Sequence, residues 1–152
     1  MLMADLTVAL RVESPPRMLA IFELGGFRDY VERYGRVAGE DFLARVGDRL
    51  AQAIEQPATF YRPRDGEFAA ILEIPLDSAG ELLAATVSAV NRQFAEFDVG
   101  LAFGAAMLPV EASEPIDVLM LADERLSLNA RSRGSRERRA DPHGRRAPGV
   151  AL

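Results

Sequence analysis

The 152-residue chain is 49% hydrophobic and 27% charged, which is enough for one packed core and too apolar for an unfolded protein. It has no cysteine and no lysine, which excludes disulfides, thiolate metal sites, Schiff-base chemistry and a lysine-bearing phosphate loop, and fits a reducing, cytoplasmic setting. The net charge is −5, yet seven arginines against Glu137 and Asp141 give residues 131–152 a charge of +5; the acidic body this leaves over residues 1–130 argues against a nucleic-acid-binding domain.

Residues 1–17 are poorly patterned. Leu6 to Val12 alternates loosely, as a strand or one helical turn would, and Ser14-Pro15-Pro16 breaks whatever precedes it. Asp5 and the short apolar run exclude a signal peptide. No apolar stretch approaches the ~20 residues of a membrane span. Met18 to Leu24 is nearly continuous apolar sequence, which predicts a buried strand ended by Gly25-Gly26. Phe27, Tyr30, Val31 and Tyr34 then recur at helical spacing, and Tyr34-Gly35 reads as a helix end with a left-handed glycine. Glu40 to Ile54 predicts an amphipathic helix with Phe42, Leu43, Val46, Leu50 and Ile54 on one face and two acids in its first turn.

Ala58 to Arg62 and Phe68 to Ile74 predict two strands joined by a hairpin, because Asp65-Gly66 lies between apolar runs. Ser78 with Glu81 has the spacing of a capping box opening a helix that runs to about Glu96. Val99 to Leu108 predicts a further strand, and Ser113-Glu114-Pro115 opens a last helix with Ile116, Leu119, Ala122 and Leu126 on one side. After Asn129 the composition turns to Arg, Gly, Ser and Pro, which predicts an Arg-rich disordered tail over residues 131–152. The predicted order is β-α-α-β-β-α-β-α over residues 18–130. It contains the βαββαβ plan of ferredoxin-like and palm folds, an α+β class with a mostly antiparallel sheet and the first strand beside the hairpin at its centre.

Several segments resemble the GGDEF domain of diguanylate cyclases. Glu23-Leu24-Gly25-Gly26-Phe27-Arg28, Val31-Glu32 and Tyr34-Gly35 through Gly39-Glu40 match, without a gap, that family's D-x-D-x-F-K, N-D and Y-G-x-x-x-G-D. Arg62-Pro63-Arg64-Asp65-Gly66-Glu67-Phe68 stands where the family has R-Y-G-G-D-E-F. Val99 to Ala106 resembles its V-T-V-S-I-G-V-A strand, and Ala122-Asp123-Glu124-Arg125-Leu126 its A-D-x-A-L helix. The similarity spans Leu19 to Gly134. The family's N-terminal helix is expected to be shortened, with Leu6-Thr7 as its remnant.

The resemblance implies a reaction in which two GTP condense to cyclic di-GMP, with Mg²⁺ held by oxygen ligands. Carried over residue by residue, the first ligand position is Glu23, a carboxylate one methylene longer than the family's. The second aspartate is Gly25, the hairpin ligand position is Gly66, and the phosphate-approaching glycines are Arg64 and Asp65. The guanine-reading Asn is Val31 and its partner is Glu40. The inhibitory product site R-x-x-D falls on Glu55 and Ala58 and is absent. Arg28 keeps a basic position, and Arg131 or Arg133 stands where the family's C-terminal phosphate contacts lie. The resemblance therefore implies no catalytic residues and no cofactor, with Glu23 a residual metal candidate and Mg²⁺ relevant only if nucleotide chemistry persists. Glu67 and Asp65 flank position 66, but alternation along a strand places a neighbour on the other face unless the register slips.

Each of these residues also has a structural reading. Glu23 turns to solvent or caps the next helix, Asp65-Gly66 is only a turn, Glu67 and Arg28 lie on the surface, and His143, the single histidine, sits in the tail. The leading expectation is a catalytically inactive regulatory or protein-interaction module in bacterial cyclic di-GMP-type signalling, working as a homodimer or with a protein partner. The alternatives are a non-catalytic sensor of GTP or cyclic di-GMP, and an active cyclase with rearranged ligands.

Overall fold

A computed structural model describes residues 1–11, 16–74 and 76–140, with backbone alone at Leu76 and over 134–140. In chain order the elements are α1 (Leu2–Ala9), β1 (Arg17–Gly25), α2 (Phe27–Tyr34), α3 (Arg36–Ala53), β2 (Ala58–Arg64), β3 (Glu67–Leu72), α4 (Ala79–Gln93), β4 (Gly100–Leu108) and α5 (Pro115–Ala140). Short 3₁₀ turns precede and follow α4. Among the described residues the strands form one antiparallel sheet in the order β2-β3-β1-β4, so β1 lies between the hairpin and β4 as the crossover rule expects.

Alternation along β1 builds two layers of core. Met18, Ala20, Phe22 and Leu24 face α2, α3 and α4, where they meet Tyr30, Phe42, Leu43, Val46, Leu83 and Val87. Leu19 and Ile21 face the other side and meet Leu6 of α1 and Val118, Ala122 and Leu126 of α5. Both faces are covered, which is why residues 18–22 are continuously apolar and buried. Tyr30 stacks on Phe42 with ring centroids 4.4 Å apart, and Phe94 and Phe97 meet Phe42 edge-on at 5.2 and 5.4 Å, so aromatic contacts join α2, α3 and the end of α4.

The helix α5 approaches β4 closely because Gly104 has no side chain. A Cβ there would lie 2.0 Å from the carbonyl oxygen of Ala122 and 2.2 Å from the amide nitrogen of Leu126. The same helix helps to close the free edge of β4. Asn129 Oδ1 accepts from the Phe103 N–H at 3.0 Å, and Arg125 donates to the Ala105 carbonyl at 2.7 Å. From the other flank Asn91 brackets Leu101, accepting from its N–H at 2.7 Å and donating to its carbonyl at 3.1 Å. Glu111 accepts from the Met107 N–H at 3.0 Å and pairs with Arg125. Side chains thus take up the backbone groups that an edge strand would otherwise offer to another chain.

Several sequence expectations are corrected. Leu2–Ala9 is a helix, neither strand nor single turn, because Leu6 and Ala9 are buried against α5 and the sheet. The Tyr61 hydroxyl donates to Asp5 and ties α1 to β2; burial first and then this bond push its pKa up to about 12. The third helix starts at Arg36, so Glu40 and Asp41 lie beyond its first turn. Its leading residue Gly35 has φ 91 and ψ 169, a region essentially reserved for glycine, in place of the left-handed helical geometry expected. The Ser78 side chain makes no capping bond, so no capping box forms. On α5 Ala122 and Leu126 are buried as expected and Leu119 packs against them, but at the start of the helix Val118 is buried and Ile116 is exposed. The last helix continues to Ala140, past the expected end at Asn129, because Asn129 and Arg133 still find partners on β4. Ser14, Pro15 and residues 141–152, including His143, lie outside the described residues. No helix among the described residues is long and apolar enough to cross a membrane.

Candidate functional site

Four elements meet at one end of the sheet. β1 ends at Gly25, and the chain turns at Gly26 into α2, whose first residue is Phe27. The β2–β3 hairpin turns there through Asp65-Gly66, with Arg64 opposite Glu67. The Gly66 carbonyl accepts from the Leu24 N–H at 2.7 Å, which fastens the hairpin tip to the end of β1. On the other side of β1, Gly100 starts β4 opposite Gly25, and the Arg133 guanidinium lies over Gly100 while donating to the Leu101 carbonyl. A register shift between Tyr61 and Arg64 sets Arg62 and Pro63 against the single residue Phe68. This is a bulge that aims the hairpin tip, placed where Pro63 has no N–H to give to the ladder.

The hairpin geometry settles which side chains face one another. Glu67 is in register with Glu23 across β3 and β1, and both lie on the α5 side of the sheet. Position 66 is out of the ladder altogether. Gly66 has φ 77 inside the two-residue turn, and a Cβ there would point at the Phe27 ring, 3.5 Å from Cδ1. The residue that meets Glu23 is therefore Glu67, because the turn removes position 66 from the alternation. Glu67 is half-buried rather than a plain surface residue, and burial raises its carboxyl pKa. Arg64 acts in the opposite direction, while Asp123 and Glu23 raise it further. Two like charges directly opposite on a ladder are unfavourable, and Arg64 at the turn is the nearby counter-charge.

The other expected residues distribute unevenly. At Gly25 a Cβ would meet only the Gly100 carbonyl, at an ordinary 3.5 Å. Val31 instead fills its surroundings: the Cβ position of Gly39 lies 2.7 Å from Val31 Cγ2, with Phe27 beside it. Glu40 sits 3.9 Å from Arg62 on β2, whose guanidinium lies 5.9 Å from the Phe68 ring. Arg28 is 93% exposed and pairs along its own helix with Glu32 at 3.8 Å, so it points to solvent. Arg131 is exposed, as is Asp65 at the hairpin tip.

The structure thus brings Glu23, Glu67 and Arg64 together, sets Arg133 at the same end of the sheet, and leaves Arg28 and Arg131 outward. Sequence reasoning gave no role to Asp123, nor to Asn91, Glu111, Arg125 and Asn129. The one legible signal was a polar Asn91 on the apolar stripe between Val87 and Phe94. As a divalent-metal site the end of the sheet offers the Glu23 carboxylate but no side-chain oxygen at position 66. Among the described residues no group of three or more His, Asp or Glu stands close enough to hold an ion. The Glu23 and Glu67 carboxylates, opposite each other in the ladder, form a pair and not such a group. A separate cleft of about 640 Å³ opens between α3 and the end of α4, lined by Arg45, Asp48, Arg49, Phe94, Glu96 and Phe97, away from this end of the sheet.

Comparison with known proteins places this geometry. The family model described as "Diguanylate cyclase, GGDEF domain" matches residues 3–136, which takes in α1 as well as the segment from Leu19. Diguanylate cyclase DgcS of Shewanella oneidensis is 30% identical over 108 residues, covering 70% of this chain and 35% of that protein. The chain thus spans about a third of the length of this curated relative. The GGDEF domain of FimX from Pseudomonas aeruginosa superposes with a TM-score of 0.72 at 19% identity, covering 86% of this chain and 85% of that one. Diguanylate cyclase SiaD from the same organism, solved in complex with its activator SiaC, superposes with a TM-score of 0.72 at 17% identity, covering 87% of this chain and 54% of that one. These structural likenesses concern the fold.

Proposed function

The chain belongs to the GGDEF domain family, and from that premise we propose that it is a catalytically inactive member serving as a regulatory or protein-interaction module in bacterial cyclic di-GMP-type signalling. One observation carries the reading. The hairpin position that in the family presents a metal carboxylate is Gly66, held at φ 77 with its missing side chain directed at Phe27. Phosphoryl transfer depends on positioned metal ions to stabilise charge, so losing a ligand at the centre of the site removes most of the catalysis. Val31 packed on Gly39 adds to this, because an apolar contact stands where the family hydrogen-bonds guanine.

A domain without chemistry acts through what it touches. The structure of the neighbour SiaD includes a protein activator, which sets a precedent for a protein partner on this fold. The test is incubation of the purified protein with GTP and either Mg²⁺ or Mn²⁺, followed by chromatography. We expect no cyclic di-GMP; metal-dependent product would defeat the reading. Calorimetry with GTP and cyclic di-GMP then separates a scaffold, which gives no heat, from a nucleotide sensor, which does.

A further inference from the structure

We propose that the outer edge of β2, over residues 58–61, receives an extended segment of a partner protein as an added antiparallel strand. This rests on the reading of the protein as a protein-interaction module and gives the chemistry of the partner.

The two outermost strands of the sheet are β2 and β4, and they are treated differently. On β4 the side chains of Asn91, Asn129, Arg125 and Glu111 take up backbone groups. On β2 protection stops halfway. The half nearest the turn has the register shift between Tyr61 and Arg64, a Pro63 with no N–H, and the charges of Arg62 and Arg64. These are the devices that keep a strand edge from pairing. Residues 58–61 have none of them. They read Ala-Thr-Phe-Tyr, are uncharged, and run in regular register against residues 69–72. Three of the four are strong strand formers. In an antiparallel ladder every second residue turns its N–H and C=O away from its neighbour. Among the described residues no hydrogen bond from outside the sheet reaches the backbone of 58–61.

The side chains on this edge specify what would lie beside it. Of the large apolar side chains exposed among the described residues, Phe60 alone lies on a strand, and it is 40% exposed. It is in register with Ala70, which is in register with Ala20, and both alanines face the core under α3. Phe60 therefore stands at the outer end of a row of small residues on that face. A neighbouring strand would place an apolar side chain against its open flank. Arg62 lies on the same face, with its guanidinium 5.9 Å from the Phe68 ring. Its one ion pair, with Glu40 at 3.9 Å, is exposed on both sides, and such pairs hold weakly. A carboxylate on the added strand can take it over.

An antiparallel partner strand therefore reads acidic, any residue, apolar: the acid opposite Arg62, the apolar side chain opposite Phe60 two residues later. A second copy of this chain suits the edge less well, because its own β2 would bring Pro57, the Pro63 bulge and two arginines into the pairing.

The test uses a cyclised hairpin peptide with Asn-Gly turns as the probe, its outer strand reading Ser-Glu-Thr-Val-Thr-Val-Ser. Cyclisation holds the strand extended before binding. Titration of the whole chain, followed by backbone amide NMR, should give a Kd below about 1 mM, with slowed hydrogen exchange confined to β2. Phe60→Lys should raise Kd at least about tenfold, since a charge then replaces the apolar contact on the edge. Arg62→Glu should weaken the probe about two- to fivefold, and a second probe with lysine in place of the glutamate should regain that loss. Val37→Glu, at a 79% exposed position on α3, should change nothing, and circular dichroism checks that each variant is folded. No shift at millimolar peptide overturns the proposal, as does binding indifferent to both β2 variants. Sedimentation velocity reads the competing occupant: a mass that doubles from 16.6 kDa without peptide and stays single in Phe60→Lys assigns the edge to a second copy and also overturns it. Cyclic di-GMP production from GTP would defeat the proposed function instead and is read separately.

Discussion

Replacing Gly104 by alanine adds one methyl group at the contact between β4 and α5. The added Cβ would lie 2.0 Å from the Ala122 oxygen, 2.2 Å from the Leu126 nitrogen and 2.8 Å from the Leu126 Cα. All three are backbone atoms of one helix, so no side chain can rotate away. Ordinary contact is about 3.5–4 Å between carbon atoms, so α5 has to retreat by more than an ångström. Val118, Ala122 and Leu126 then lose their contacts with Leu19, Ile21, Ala102 and Ala106. Overpacking usually costs about 1–3 kcal/mol, and a clash with rigid backbone belongs at or above the top of that range. For a domain of this size about 3 kcal/mol lowers Tm by roughly 6–12 °C. Gly80→Ala is the control: the site is helical with no atom within 4 Å, and should stabilise by up to about 1 kcal/mol. Thermal and urea denaturation followed by circular dichroism compares the two. A Gly104→Ala protein within about 0.5 kcal/mol of the parent would refute the backbone-on-backbone seating of α5.

Three further outcomes follow from the site and the strand edge. Glu67 has a raised folded-state pKa, so its contribution is fully present below the ordinary glutamate pKa and is lost as pH rises through the folded value. Glu67→Gln should therefore stabilise at neutral pH by a few tenths to about 1 kcal/mol, with the gain shrinking toward pH 4; a gain independent of pH would exclude this cause. Asn91→Ala removes both bonds to Leu101 and should cost about 2 kcal/mol, with faster amide hydrogen exchange at Leu101 as the local signature. Gly66→Asp returns a carboxylate to the hairpin position, but its Cβ points at Phe27, so we expect a folded protein that still makes no cyclic di-GMP from GTP. Product from that single variant would show that the turn re-forms around a metal.

The amino-acid sequence by itself determined the order of elements from Met18 onward and most of the core. A continuous apolar run such as Met18 to Phe22 can only be satisfied by burial on both faces, and Asp65-Gly66 between apolar segments specifies a two-residue turn. The expectation that family side chains are missing at positions 25, 31 and 66 rests on residue identity alone and needs no tertiary contact. The tertiary structure decided direction and partnership. Helix formation at Leu2–Ala9 depends on Leu6 finding α5, more than a hundred residues away, and the continuation of α5 depends on Asn129 and Arg133 finding β4. Local composition contains neither contact. The pairing of Glu23 with Glu67 likewise came from where the turn places position 66: the two-residue turn takes Asp65 and Gly66 out of the ladder, and only the register then says which carboxylate faces which.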